Sequence, residues 1–288
     1  MHANQDCSFN DAHFVGGLNN LRQMLHFAFG QSAKAFRIDL ERCKDTVLTT
    51  RWESDPRRLT RTSPCRGYGR GLEEAITEST AGRNPVASHH RVISRSLGNL
   101  RLIIQYQADA CDCQCELPAS NNENTASNDD LVIRADNYCE ANADEDTALA
   151  VLHAGMQHSS ACMVEIKSRD MKNNYTDDTM AQMWLSGQTR LYLARHVRGA
   201  FSKEAVDYRR FDAEIVQWQS RNAGKIGGFV RLLREIWSTV RRLPHAATGE
   251  KYALIYEPDK NGDRLKLVRR QTGHSFMRNA TTHRLWAH

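Results

Sequence analysis

The chain has 288 residues, 40% hydrophobic and 25% charged, which is enough length and apolar content for a buried core. Collagen, coiled-coil and mini-protein architectures are excluded. No run approaches the ~18–20 apolar residues of a membrane helix, and MHANQDCSFNDAHF has neither the basic nor the apolar region of a signal peptide. The expectation is a nuclear or cytosolic protein, not secreted, with no membrane partner. A net charge of +5 permits an anionic partner, and arginine, whose planar fork matches phosphate, outnumbers lysine. A genome that favours Arg codons explains that bias equally well. The eight cysteines are expected as free thiols.

Leu18, Leu21, Leu25 and Phe29 recur at helical spacing between Gly17 and Gly30, predicting a helix with one apolar face. An arginine-rich stretch from Arg51 to Arg70 then runs into Gly67-Tyr-Gly-Arg-Gly71, a flexible turn feeding a helix start. Its arginines suit a phosphate channel or a solvated loop. His89-His90 reads as a solvated turn. From Leu100 the period becomes two: Leu102, Ile104 and Tyr106 point one way, while Ile103, Gln105, Gln107 and Asp109 point the other.

Residues 111–147 turn to Asn, Asp, Ser and Cys, the composition of a polar surface insertion. Its Cys111-x-Cys113-x-Cys115 lacks the C-x₂₋₄-C spacing of a zinc site. A second strand covers 161–168, and Asp177 and Asp178 are placed to cap a helix carrying Met180, Met183 and Trp184. A strand over 191–197 follows, then two amphipathic helices parted at Gly224, then a hairpin joining Lys251–Tyr256 to Leu265–Val268 across an Asn-Gly turn. This order predicts one α/β domain over 1–288, with its core at about 14–275 and a mixed central sheet flanked by helices.

The most informative residues are Glu165-Ile-Lys167. At i and i+2 on a strand both side chains project from one face, where a carboxylate can ligate Mg²⁺ and an ammonium can orient water or neutralise phosphate. Alternating charges on a solvated strand face produce the same pattern. Asp109, at the polar end of the preceding core strand, is the natural further ligand if the two strands pair.

The arrangement Asp109…Glu165-Ile-Lys167 resembles the PD-(D/E)xK nuclease core, and the surrounding sequence resembles the DXO-like decapping exonucleases and their fungal paralogues. Gly67-Tyr-Gly-Arg-Gly-Leu-Glu73 is similar to the family's turn and Glu-bearing helix, Gln107-Ala-Asp109 to its E-x-D, and Glu165-Ile-Lys167-Ser168-Arg169 to its E-h-K strand. Gln182-Met-Trp184-Leu-Ser-Gly-Gln188 is similar to the Trp- and Gln-bearing helix that follows. Gln107 departs from the family pattern, being neutral where the family has an acid.

The resemblance implies a metal-dependent nuclease acting on RNA 5′ ends, removing incomplete or non-standard caps and continuing 5′–3′. It implies Mg²⁺ or Mn²⁺ held by Glu73, Asp109 and Glu165, with Gln107 holding a water in the outer coordination sphere. Catalysis falls to Glu165, Lys167 and Asp109, and substrate binding to Arg66, Arg70, Arg169 and Gln188, the last preferred over Gln182. The alternative is a catalytically degenerate nucleic-acid-binding or interaction protein on the same fold.

Overall fold

Strand β1 (Phe14–Gly17) passes directly into helix α1 (Leu18–Ala28), and Gly16 is what lets β1 lie where it does. A Cβ on Gly16 would stand 1.9 Å from Thr49 Oγ1, so only glycine permits the close approach of β1 to β3 (Thr46–Arg51). In α1 the buried positions Leu18, Leu21, Met24 and Leu25 form the predicted stripe, which ends before Gly30 at φ +68°. The computed structural model describes residues 9, 11–32, 34–52, 68–78, 89–112, 158–173, 175–243, 251–258, 264–270 and 276.

The strands form two sheets. The larger, in the order β11-β10-β2-β3-β1-β5-β4, contains β2 (Phe36–Cys43), β4 (His89–Leu97), β5 (Leu100–Ala108), β10 (Lys251–Glu257) and β11 (Arg264–Arg269). The smaller runs β6-β7-β8-β9: β6 (Ala110–Cys111), β7 (Met163–Asp170), β8 (Arg190–Val197) and β9 (Ala200–Arg210). The helices are α2 (Gly69–Ile76), α3 (Asp177–Ser186), α4 (Asp212–Arg221) and α5 (Ala223–Arg242). The mixed α/β class expected from the sequence is the class observed.

The main core joins α1, α3, α4 and α5 to one face of the large sheet through Leu21, Met24, Leu102, Ile104, Trp184, Trp218 and Phe229. The same cluster takes in Leu191 and Leu193 from the small sheet, so α3 is wedged against both sheets. On the opposite face of the small sheet, Leu72 of α2 packs on Val164, Ile166 and Ala194. The two faces of β7 therefore meet different helices, which is the fact that positions the site.

Several expectations change. Strands β5 and β7 belong to different sheets and do not pair with each other; the chain leaves β5 at Ala108, turns at Asp109 and enters the small sheet at Ala110, opposite Val164. His89 and His90 open the edge strand β4 and pair with Ala108 and Gln107, rather than forming a turn. The α3 cap is Thr176, whose hydroxyl accepts the Thr179 N–H at 3.3 Å, while Asp177 and Asp178 occupy the first turn. The helices α4 and α5 part at Asn222, which leaves Gly224 inside α5. The hairpin β10–β11 pairs as expected; its Asn-Gly turn and residues 113–147 of the polar stretch lie outside the described residues.

Candidate active site

Strand β7 alternates between its two packing layers, with Val164 and Ile166 toward α2 and Glu165 toward α3. Glu165 is 1% exposed. Its Oε1 accepts a short hydrogen bond from Lys167 Nζ and another, 2.6 Å long, from Gln182 Nε2 of α3. Both donors therefore serve one oxygen. The other, Oε2, is buried without a partner. A buried anion with half its hydrogen-bonding capacity unused is costly. Burial accordingly pushes the Glu165 carboxyl up to about 7, against the opposing pull of Lys167 and with a further push from Asp109.

Asp109 reaches the same place from the seam between the sheets. Its Oδ2 accepts the backbone N–H of Ile166 at 2.9 Å, which pins the turn to the middle of β7. Glu73 completes the group from α2: burial raises its carboxyl, Asp109 raises it further and Lys167 lowers it. Asp109 and Lys167 thus each act on both Glu73 and Glu165, the acid raising and the ammonium lowering their carboxyls. Arg22 of α1 adds positive potential at Glu165, and the buried Tyr106 phenol senses both Arg91 and Glu165.

The remaining expected residues are placed less centrally. Strand β5 ends before Asp109, so Gln107 and Asp109 do not share one continuous strand face; Gln107 is exposed, opposite in the alternation to the buried Tyr106. Gln188 is fully buried and turned into the core, its Oε1 accepting the Ser186 hydroxyl at 2.9 Å. The amide on the carboxylate is Gln182, so the preference for Gln188 is corrected. The signal was available: Gln182 is the polar interruption in Met180-Ala-Gln-Met-Trp-Leu185, a run otherwise committed to the core. Arg169 is half-buried, with Nη1 on the Ser168 carbonyl and Nε buried without a partner. Arg70 is exposed and tied to Glu74, and Arg66 lies outside the described residues.

A divalent cation fits the chemistry of this donor set. Among the described residues no three His, Cys, Asp or Glu side chains form a metal cage by themselves. Mg²⁺ needs none, since it takes one or two carboxylates and completes its sphere with water and substrate phosphate. The unsatisfied Glu165 Oε2, on a carboxyl that Asp109 pushes upward, is such a partial set.

A family model described as "Domain of unknown function (DUF8563)" matches residues 1–286. The chain belongs to the DUF8563 family. No curated protein matches this DUF8563 chain. Among solved structures, Candida albicans Rai1 in complex with pU5-Mn²⁺ is similar with a TM-score of 0.56 at 12% identity, over 95% of this chain and 71% of that one. Schizosaccharomyces pombe Rai1 in complex with 3′-FADP gives 0.54 at 13% identity, over 90% and 72%. Scheffersomyces stipitis Rai1 in complex with (3′-NADP)⁺ and calcium ion gives 0.55 at 12% identity, over 93% and 70%. The DUF8563 chain has the Rai1 fold, in agreement with the DXO-like resemblance of its motifs.

Proposed function

We propose that this DUF8563 protein is a divalent-metal-dependent phosphohydrolase of RNA 5′ ends, removing incomplete or non-standard caps and continuing as a 5′–3′ exonuclease. The observation that carries this reading is the buried carboxylate of Glu165, held on one oxygen by Lys167 and Gln182 and without a partner on the other, with Asp109 acting electrostatically both on it and on Glu73 of α2. The similar Rai1 structures, one binding pU5 with Mn²⁺ and another 3′-FADP, support the substrate class.

In this reading Glu165, Asp109 and Glu73 hold Mg²⁺ or Mn²⁺, which supplies Lewis-acid polarisation of the phosphate and a nucleophile at neutral pH. Lys167 faces the phosphate, where its charge offsets the anion that develops in the transition state. Gln182 fixes the rotamer of Glu165 so that Oε2 stays forward. Asp109, anchored on the Ile166 N–H, sets the spacing between the acids. Arg66, Arg70 and Arg169 bind the RNA backbone. The whole of 1–288 acts as one nuclease-like domain, in the nucleus or cytosol; among the described residues no helix is long and apolar enough to cross a membrane.

A second reading, a degenerate nucleic-acid-binding protein on the same fold, is favoured by the neutral, outward Gln107. One experiment separates the two. The protein is incubated with 5′-triphosphorylated, 5′-monophosphorylated and dinucleotide-capped RNA in Mn²⁺, Mg²⁺ or EDTA, with Glu165→Gln alongside. Metal-dependent product absent from the variant supports the hydrolase. RNA binding without product in any metal selects the degenerate reading.

A further inference from the structure

The face of β7 turned away from Glu165 carries a second feature that the proposed chemistry does not use. Between α2 and strands β8 and β9 lies a groove of about 460 Å³, within the range of small-ligand sites. Its floor is apolar, from Leu72, Ala194 and Val206, and three aromatic rings line it: Tyr68, Tyr192 and Phe201. Tyr68 is 46% exposed yet held in place. Its ring meets His196 edge-on at 4.7 Å, and at Gly199, φ +89°, a Cβ would come within 2.4 Å of it. A half-exposed tyrosine backed by an imidazole and seated on a glycine is a prepared stacking surface.

The charge at this groove has one sign to offer. Lys203 is the charged residue lining it, and Arg198 stands in the adjoining β8–β9 turn. Neither has an ion-pair partner among the described residues, whereas Arg190, Arg209 and Arg210 on the same two strands are paired with Asp112, Glu214 and Asp212. Glu204, next to Lys203 in β9 and bonded to the lining residue Ser202, opposes them.

Flat apolar walls with uncommitted cations at one end match a planar ring bearing a phosphate. Aromatic stacking beside basic side chains is how proteins hold unpaired nucleotides without reading their sequence. We infer that this groove seats one nucleotide of single-stranded RNA, its base against Tyr68 and Phe201 and its phosphodiester on Lys203 and Arg198. The groove lies on the opposite side of the small sheet from Glu165 and shares α2 with Glu73, so it is a separate contact. The inference stands whether or not the carboxylates hydrolyse RNA.

The test uses the full chain carrying Glu165→Gln, in EDTA, with fluorescein-labelled 5′-hydroxyl rA10 followed by anisotropy. Tyr68→Leu keeps apolar bulk but removes the stacking face, and rA10 should bind at least about fivefold more weakly. Lys203→Gln should reduce the dependence of log K on log salt by about 0.7, the share of one phosphate contact on a single strand. Glu204→Gln should tighten binding. A fully paired duplex of the same length should not compete through this groove, and a 4-thiouridine strand should crosslink to peptides containing Tyr68 or Phe201. Two results would each overturn the inference: unchanged rA10 affinity in both Tyr68→Leu and Lys203→Gln, or equal competition by duplex. Crosslinks confined to other peptides would do the same, and would leave the groove to a protein partner. Thermal melts of each variant separate lost contacts from lost folding.

Discussion

Gln182 and Lys167 both donate to Oε1 of Glu165, one from helix α3 and one from the same strand. Two donors on one oxygen lock the carboxylate plane and leave Oε2 buried without a partner.

Removing the helix donor should loosen it. Gln182→Met keeps the length of the side chain but gives Glu165 one hydrogen bond fewer, so the buried carboxyl rises still further. Hydrolysis should fall ~10–100-fold, as for other partners that orient a metal ligand. The pH–rate profile separates this role from a packing one: its acidic limb should move to higher pH while the thermal midpoint changes little.

Gln188 gives the contrasting result. It is fully buried and its Nε2 lacks a partner, so Gln188→Met removes an unsatisfied polar group at nearly constant volume. Stability should stay within ~1 kcal/mol of wild type or improve, with hydrolysis retained. A denaturant melt and a single-turnover assay on the same preparation check both halves.

Glu165 makes metal-free stability depend on pH in a stated direction. Its carboxyl is raised to about 7 in the folded chain, so the stability it contributes is fully present below the unfolded value near ~4.3 and is lost as pH climbs through 7. In EDTA the protein should melt several degrees lower at pH 8 than at pH 5.5, and Glu165→Gln should flatten the difference. Mn²⁺ should raise the wild-type midpoint more at pH 8 than at pH 5.5, because the ion competes with the proton for the same oxygen.

Asp178 responds in the opposite sense. A hydrogen bond from His26, with Arg22 at 2.8 Å, holds its carboxyl well below the ordinary range. The resulting stability is present above the unfolded value near ~3.9 and declines as pH falls below it. Asp178 is 41% exposed, so solvent screens the pair and the contribution is no more than about 1 kcal/mol. Asp178→Asn should lower the midpoint by a few degrees at pH 7, and the gap should narrow progressively as pH falls below ~3.9.

Gly16 tests the close approach of β1 and β3. In Gly16→Ala the new methyl would meet Thr49 Oγ1 at 1.9 Å and its carbonyl oxygen at 2.8 Å. Thr49 Oγ1 also accepts from Asn20 at 3.3 Å and cannot retreat freely. The cost should be ~1–3 kcal/mol or more, read as a shift in the urea midpoint with the slope preserved.

What the sequence revealed was local and periodic. The α1 stripe, the Glu165–Lys167 face and the β10–β11 hairpin each rest on spacing within a few residues, and each is found in the structure. The division into two sheets was not legible, because Leu100 to Asp109 alternates without interruption and the turn at Asp109 is imposed by the Ile166 N–H, 57 residues away. That one bond accounts both for Asp109 reaching Glu165 without strand pairing and for Gln107 staying outside. Strand β9 was missed for another reason: as an edge strand its burial alternates poorly, so no period of two stands out. Gln182 was marked by its place as the polar interruption of a core run in α3, whereas Gln188 lies beyond the helix end at Ser186, where helical spacing carries no information.

The backbone N–H of Asp112 bonds the carbonyl of Cys162 at 2.8 Å, so the two points where the chain leaves and rejoins the small sheet are clasped together. Closing a longer or shorter span between clasped ends changes the free energy only logarithmically with its length. The spacing of Asp109 from Glu165 is thus fixed from within the small sheet, by the Asp112–Cys162 clasp, the β6–β7 pairing and the Asp109–Ile166 bond, and is not tied to any particular length of chain between the clasped ends.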